Sequence, residues 1–273
     1  MDSNQREVLA RILESDPGAW MEENFWIEDP RDPETGEIFE PGPIRLIEAQ
    51  RKILRFGLTR IDDLFPFSTF VYSTIKKSGK TRIAAGVAAW WAANMGSYGE
   101  IYCLANDGKQ SKDRILSAIR KSVELNPDCN WHKTKSKITL PDGTFIEAIP
   151  CDPTGQAGSN PSLTVWSELW GAQYKHQERL WSEMTIPPTR WGRAMRFVES
   201  YAGFTGESHV LENLYNLGVN EGQEHPAFKE PEDPPVYVNK RAKLYCYWDQ
   251  GPEARRLPWQ NDEYYERVRP DSP

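Results

Sequence analysis

The chain has 273 residues, 38% of them apolar and 12% aromatic, which suffices for one large core or one core with appendages and excludes a disordered or fibrous composition. Its formal net charge of -7 gives no global electrostatic reason to bind nucleic acid, so such binding has to be argued from a local basic face. The longest apolar run, residues 83–95, is too short to span a bilayer, and residues 1–7 carry neither a basic leader nor an apolar segment, which predicts a cytosolic protein without a membrane partner.

Residues 5–13 place Val8, Leu9, Ile12 and Leu13 at helical spacing, and residues 19–27 predict a second short amphipathic helix. Pro30, Pro33 and Gly36, then Pro41-Gly42-Pro43, mark a connecting loop. Pro43 opens an apolar-periodic helix with Ile44, Leu46, Ile47, Ile53 and Leu54, which also carries Gln50. Residues 67–74 (FSTFVYST) read as a strand, 80–95 as an alanine-rich helix, 101–105 as a second strand, and 111–125 as a helix entered through Asn106-Asp107-Gly108.

A hairpin follows, residues 137–140 and 144–149 flanking Pro141-Asp142-Gly143, and then a loop over 152–161. Residues 163–166 and 196–201 read as buried strands, with helices near 176–184 and 207–217. This alternation predicts an α/β fold with a mostly parallel sheet covered by helices on both faces. Eight of the 21 prolines lie from Pro226 to Pro273, so that stretch reads as an extended wrap, lid or linker. The expected organisation is an N-terminal helical extension over 1–43, a core over 44–225 and a proline-rich extension over 226–273. Cys103, Cys129, Cys151 and Cys246 form no CxxC pair, and His132, His176, His209 and His225 lack HExxH spacing, so both sets read as structural or surface groups.

Lys76-Lys77-Ser78-Gly79-Lys80-Thr81 matches the end of a P-loop, with Thr74 standing where the pattern GxxxxGK[ST] has its first glycine. Backbone N–H groups at a helix N-terminus cradle phosphate oxygens, Lys80 reaches the β and γ phosphates, and Thr81 offers a hydroxyl to Mg²⁺. The short string alone also fits a lysine-rich surface turn; the order strand, turn, helix favours the nucleotide site. Hydrolysis needs a second strand ending in acids, and Leu163-Thr164-Val165-Trp166-Ser167-Glu168 is the candidate. Glu168 can act as general base, or merely begin a helix at Leu169. Ser167 holds the position where such strands present Asp, and its hydroxyl can support a Mg²⁺-bound water without supplying a carboxylate.

In the order of these motifs, over roughly residues 44–267, the chain resembles the ATPase domain of tailed-phage terminase large subunits. The resemblance implies that Gln50 reads adenine, that Lys76 and Lys77 join Lys80 and Thr81 at the phosphates, and that Ser200, in Glu199-Ser200-Tyr201-Ala202-Gly203-Phe204, couples loss of the γ-phosphate to DNA movement. Gly155-Gln156-Ala157-Gly158 and Leu257-Pro258-Trp259-Gln260 also fit, the latter as a segment leading toward a nuclease domain. It further implies ATP and Mg²⁺ as cofactors, double-stranded DNA as partner, a homo-oligomeric ring on a portal protein, a small terminase subunit, and the host cytoplasm. Arg179, Arg190, Arg193 and Arg196 are candidates for an arginine donated between subunits. Between Lys109 and Lys137, eight Lys/Arg against three Asp/Glu leave a local excess of positive charge for a DNA-facing surface. A helicase or repair ATPase, and a non-hydrolysing ATP-bound assembly protein, are the rival readings.

Overall fold

The computed structural model describes residues 16–105, 112–149 and 158–263. The helix expected over 5–13, the turn at 106–108, Cys151 and the segment 155–157 lie outside them. Asp16 starts α1 (Pro17–Asn24), its carboxylate accepting from the Ala19 amide at 3.1 Å while Pro17 presets the first helical φ. β1 (Trp26–Ile27) pairs with β2 (Gly42–Pro43), which ties down the Pro/Gly loop between them. That pairing and the extended backbone at Ile47 delay α2 to Glu48–Leu58, past the start expected at Pro43.

Among the described residues, ten strands form one sheet in the order β10-β11-β12-β3-β9-β8-β4-β7-β6-β5. They are β3 (Thr69–Thr74), β4 (Glu100–Ala105), β5 (His132–Lys133), β6 (Lys137–Thr139), β7 (Phe145–Ala148), β8 (Leu163–Ser167), β9 (Met195–Ser200), β10 (Gln223–Glu224), β11 (Val236–Asn239) and β12 (Leu244–Asp249). The run from β12 to β7 is parallel and both margins are antiparallel. β6 and β7 are the expected hairpin.

Alternate residues of each central strand enter two different cores. Phe70, Tyr72, Cys103, Val165, Phe197 and Tyr245 pack with α1, α2 and α3 (Lys80–Asn94), whereas Val71, Leu104, Trp166, Val198 and Cys246 pack with residues of α5 (Lys175–Glu183) and α6 (His209–Tyr215). The period of two therefore buries both faces, as a parallel sheet requires. α3 is buried along almost its whole length, consistent with its alanine-rich, charge-poor sequence. A π-helical turn, Lys112–Leu116, leads into α4 (Ser117–Leu125).

The proline-rich extension differs from the wrap or linker expected of it. β12 lies in the sheet beside β3, in register from Leu244↔Thr69 to Asp249↔Thr74, and Tyr245 and Cys246 are fully buried. The prolines fall between and after the strands, and Leu244-Tyr245-Cys246-Tyr247-Trp248 is itself rich in the aromatic residues that strands favour. Among the described residues no helix is long and apolar enough to cross a membrane.

Candidate active site

The carboxyl ends of β3, β9 and β8 meet at one edge of the sheet, the usual place for a ligand in a parallel α/β fold. Between β3 and α3, Lys77 (φ +65°) and Gly79 (φ +79°) take left-handed backbone. Gly79 does so without a Cβ to clash; for Lys77 the conformation costs on the order of 1–2 kcal/mol. Thr74 needs no such freedom, because it is the last residue of β3 and lies beside Asp249 of β12. Its place in the strand explains why the first glycine of the pattern is dispensable here.

Lys80 and Thr81 open α3 and face two glutamates. The Lys80 Nζ lies 3.6 Å from Glu168 Oε1, and the Arg114 guanidinium approaches the same oxygen at 3.5 Å. The Trp170 indole N–H donates to Glu168 Oε2 at 2.8 Å. Glu168 stands just past β8 in left-handed backbone (φ +55°), with its amide donating to the Glu199 carbonyl at 2.8 Å. It is not the start of a regular α-helix: a single 3-10 turn, Leu169–Gly171, follows it. Strain of this kind is characteristic of positions over-determined by their surroundings, often at functional sites.

Glu199, from β9, is fully buried. The Ser167 hydroxyl donates to its Oε1 at 2.5 Å and the Thr81 hydroxyl donates to the same oxygen at 3.3 Å. Burial, with the negative Glu168 next in weight, pushes the Glu199 carboxyl up to about 7. Ser200 is also buried; its hydroxyl donates to the Tyr201 carbonyl at 2.8 Å and accepts from the Trp170 amide at 3.2 Å. Trp170 thus connects Ser200 to Glu168. Lys76 and Lys80 both lie over the Tyr201 ring, 4.9 and 5.2 Å from its centroid, and that ring stacks on Trp170.

Gln50 sits apart from the acids but beside the P-loop. With Tyr72, Ser78, Tyr247, Arg256 and Gln260 it lines a narrow, half-open crevice of about 10 Å³, room for one water-sized group. Its Oε1 accepts from the Ile47 amide at 3.1 Å, so half of its amide is used in starting α2. Part of the crevice wall comes from residues 254–260 of the C-terminal extension, where Arg256 pairs with the buried Asp249 at 3.0 Å. The Trp259 indole also donates to the Lys77 carbonyl at 3.3 Å.

The other candidates are dispersed. Arg196 lies over the Trp181 ring and donates to the Trp181 and Met184 carbonyls, which commits it to holding α5. Arg179 pairs with Glu183 along the same helix. Within the basic stretch, Lys121 and Lys133 both pair with Glu124, and Lys137 pairs with Glu147, so part of the local excess is neutralised at home. A separate cleft of about 350 Å³ opens between Trp170, Phe204, Tyr215 and Trp248, beyond the end of β9.

Sequence reasoning passed over Glu199, Arg114 and Trp170. Glu199 did carry a signal, an acid inside a strand otherwise destined for burial. Arg114 carried none, since only folding brings the π-helical turn before α4 to the Glu168 carboxylate, whereas Trp170 is the near neighbour of Glu168 in the chain, two residues on.

No model of a known protein family matches the chain, and no curated protein does. Solved structures do. The large terminase of bacteriophage HK97 superposes with a TM-score of 0.55 at 19% identity over 74% of this chain and 40% of its own. The ATPase domain of the Thermus phage P74-26 large terminase superposes with a TM-score of 0.52 at 12% identity, over 84% of this chain and 90% of its own. The chain therefore has the fold of phage terminase ATPase domains, and spans about two fifths of the HK97 protein's length.

Proposed function

We propose that this chain is the ATP-hydrolysing motor part of a DNA-packaging terminase large subunit. The observation that carries the reading is the contact between Lys80 and Glu168, a P-loop lysine against an acid at the end of a strand two places away in the sheet. Lys80 neutralises phosphate charge, the turn over Lys76, Lys77, Ser78 and Gly79 offers backbone N–H groups, and Glu168 takes the proton of the attacking water. The buried Glu199 and the Thr81 hydroxyl beside it suit a hydrated Mg²⁺, which when bound neutralises charge on the phosphates. Gln50 selects adenine once residues 254–260 move aside. Ser200 relays the state of the phosphate site, a role supported by its bond to the Trp170 that also holds Glu168.

Double-stranded DNA as the substrate moved, a ring seated on a portal protein and a small terminase subunit belong to the same reading and rest on the resemblance in fold and motif order. The test is nucleotide binding and phosphate release by the full chain and its Lys80→Ala variant, with DNA present. Parental turnover that disappears in the variant, with the fold retained, is the expected outcome. Equal turnover in both removes the P-loop from the mechanism. Ser167 favours one rival, an ATP-bound assembly switch, for which parental nucleotide binding without any turnover is the signature.

A further inference from the structure

We propose that Glu199 supplies, from β9, the carboxylate that Ser167 leaves missing at the end of β8, and that Glu199, Ser167 and Thr81 together form the seat for the hydrated Mg²⁺ of the nucleotide. The inference rests on the nucleotide-site reading and assigns a residue that the motif pattern leaves without a role.

Three observations carry it. The β8–β9 register sets Ser167 directly opposite Glu199, so the two side chains occupy equivalent places on neighbouring strands. β9 lies between β8 and β3, which puts an acid on β9 one strand nearer the P-loop than an acid at position 167 would be. Finally, both Ser167 and Thr81 donate to Glu199 Oε1, while Glu199 Oε2 is buried and has no hydrogen-bond partner among the described residues. A buried carboxyl oxygen without a donor is costly unless something else satisfies it.

Thr81 is the hydroxyl that the P-loop pattern assigns to Mg²⁺, and here it already touches that carboxylate. Water molecules held by Mg²⁺ are strong donors and favour a carboxylate acceptor over a serine hydroxyl. With Ser at 167 and an acid opposite it, the carboxyl group is kept and its point of attachment moves by one strand, and a cation bound there would favour its ionised form. The alternative is a structural acid whose function ends with tying Ser167 to Thr81.

The experiment measures binding of a fluorescent non-hydrolysable ATP analogue to the full chain, in excess Mg²⁺ and in EDTA, for the parent, Glu199→Gln and the double variant Glu199→Gln/Ser167→Asp. Glu199→Gln is expected to bind in EDTA as the parent does and to lose about 10-fold or more of the tightening by Mg²⁺, the usual scale for an outer-shell ligand. The double variant is expected to regain it. Glu199→Ser, assayed alongside, guards against a folding defect in the Gln variant, with the melting curve of each read first.

A parental Mg²⁺ effect in Glu199→Gln overturns the proposal and leaves the nucleotide site standing. Equal weakening in EDTA and in Mg²⁺, or loss that Ser167→Asp does not restore, assigns Glu199 a structural role and also overturns it. A parent that binds no analogue under either condition removes the nucleotide-site reading itself.

Discussion

Glu168 meets two cations as ion pairs, the Lys80 ammonium at 3.6 Å and the Arg114 guanidinium at 3.5 Å from one oxygen, while its other oxygen accepts the Trp170 indole N–H at 2.8 Å. An acid so held has a fixed direction as well as a place, which is what a general base needs before substrate arrives. Glu168→Gln keeps the side chain's size and one acceptor oxygen but removes the basic group. ATP binding is expected to persist while turnover drops by roughly 10²–10⁴, the usual worth of a positioned base. Trp170→Phe separates position from basicity, because it deletes the 2.8 Å indole bond and leaves the carboxylate, keeping an aromatic ring, though a smaller one, against Tyr201. Its expected loss in kcat is smaller than that of Glu168→Gln, with KM for ATP unchanged. Steady-state phosphate release at varied ATP reads both variants, and parental turnover by Glu168→Gln removes it as the base.

Secondary elements were legible in the sequence where local chemistry decides them. β3, the glycine turn and α3 follow from an aromatic, β-branched run, a left-handed Gly79 and an alanine-rich stretch, and the β6–β7 hairpin follows from its turn. The place of β12 was not legible, because proline content is a local signal and pairing with β3 is decided by residues about 175 positions earlier in the chain. Glu199 was missed for the same reason, since its meaning depends on which strand lies opposite. Tertiary pairing also explains Gly57, near the end of α2, where helix propensity alone favours alanine by about 1 kcal/mol. A Cβ there would stand 2.9 Å from Phe70 Cδ1 and 2.8 Å from Tyr245 Cε1. Neither ring can retreat, Phe70 being fully buried and the Tyr245 hydroxyl bonded to the Ile53 carbonyl at 3.0 Å. Gly57→Ala is therefore expected to destabilise by about 1–2 kcal/mol net, within the range for overpacked cores. A denaturation midpoint equal to or above the parent's would contradict the packing argument.

At the scale of the molecule, the C-terminal extension is fastened to the body by a seam that crosses from α2 to β12. Lys52 pairs with Asp233 at 2.5 Å, and the His225 ring meets Phe56, Phe228 and Tyr245 at centroid distances of 5.2 to 5.7 Å. Asp249 and Arg256 then hold residues 254–260 of the extension against the crevice beside Gln50. The Nδ1 of His225 accepts from the Ala227 amide at 3.2 Å, so the seam uses the neutral imidazole. Burial first, and the Lys52 charge second, lower the His225 pKa below its ordinary value. A histidine whose folded pKa is depressed contributes stability above its unfolded pKa, and that contribution is lost as pH falls through the folded one. Asp233 acts in the same direction at lower pH: its hydrogen bond from Lys52 lowers its pKa, so its contribution is lost when the carboxylate is protonated. Acidification from neutral pH is thus expected to loosen the seam in two stages, His225 first. His225→Phe keeps an aromatic ring against Phe56, Phe228 and Tyr245 but has no group to titrate and no acceptor for Ala227. Its melting temperature should start below the parent's at neutral pH, where the lost acceptor counts, and fall less steeply through the histidine range. Parallel melting curves for the two proteins across that range would show that His225 does not carry the acid sensitivity of the seam.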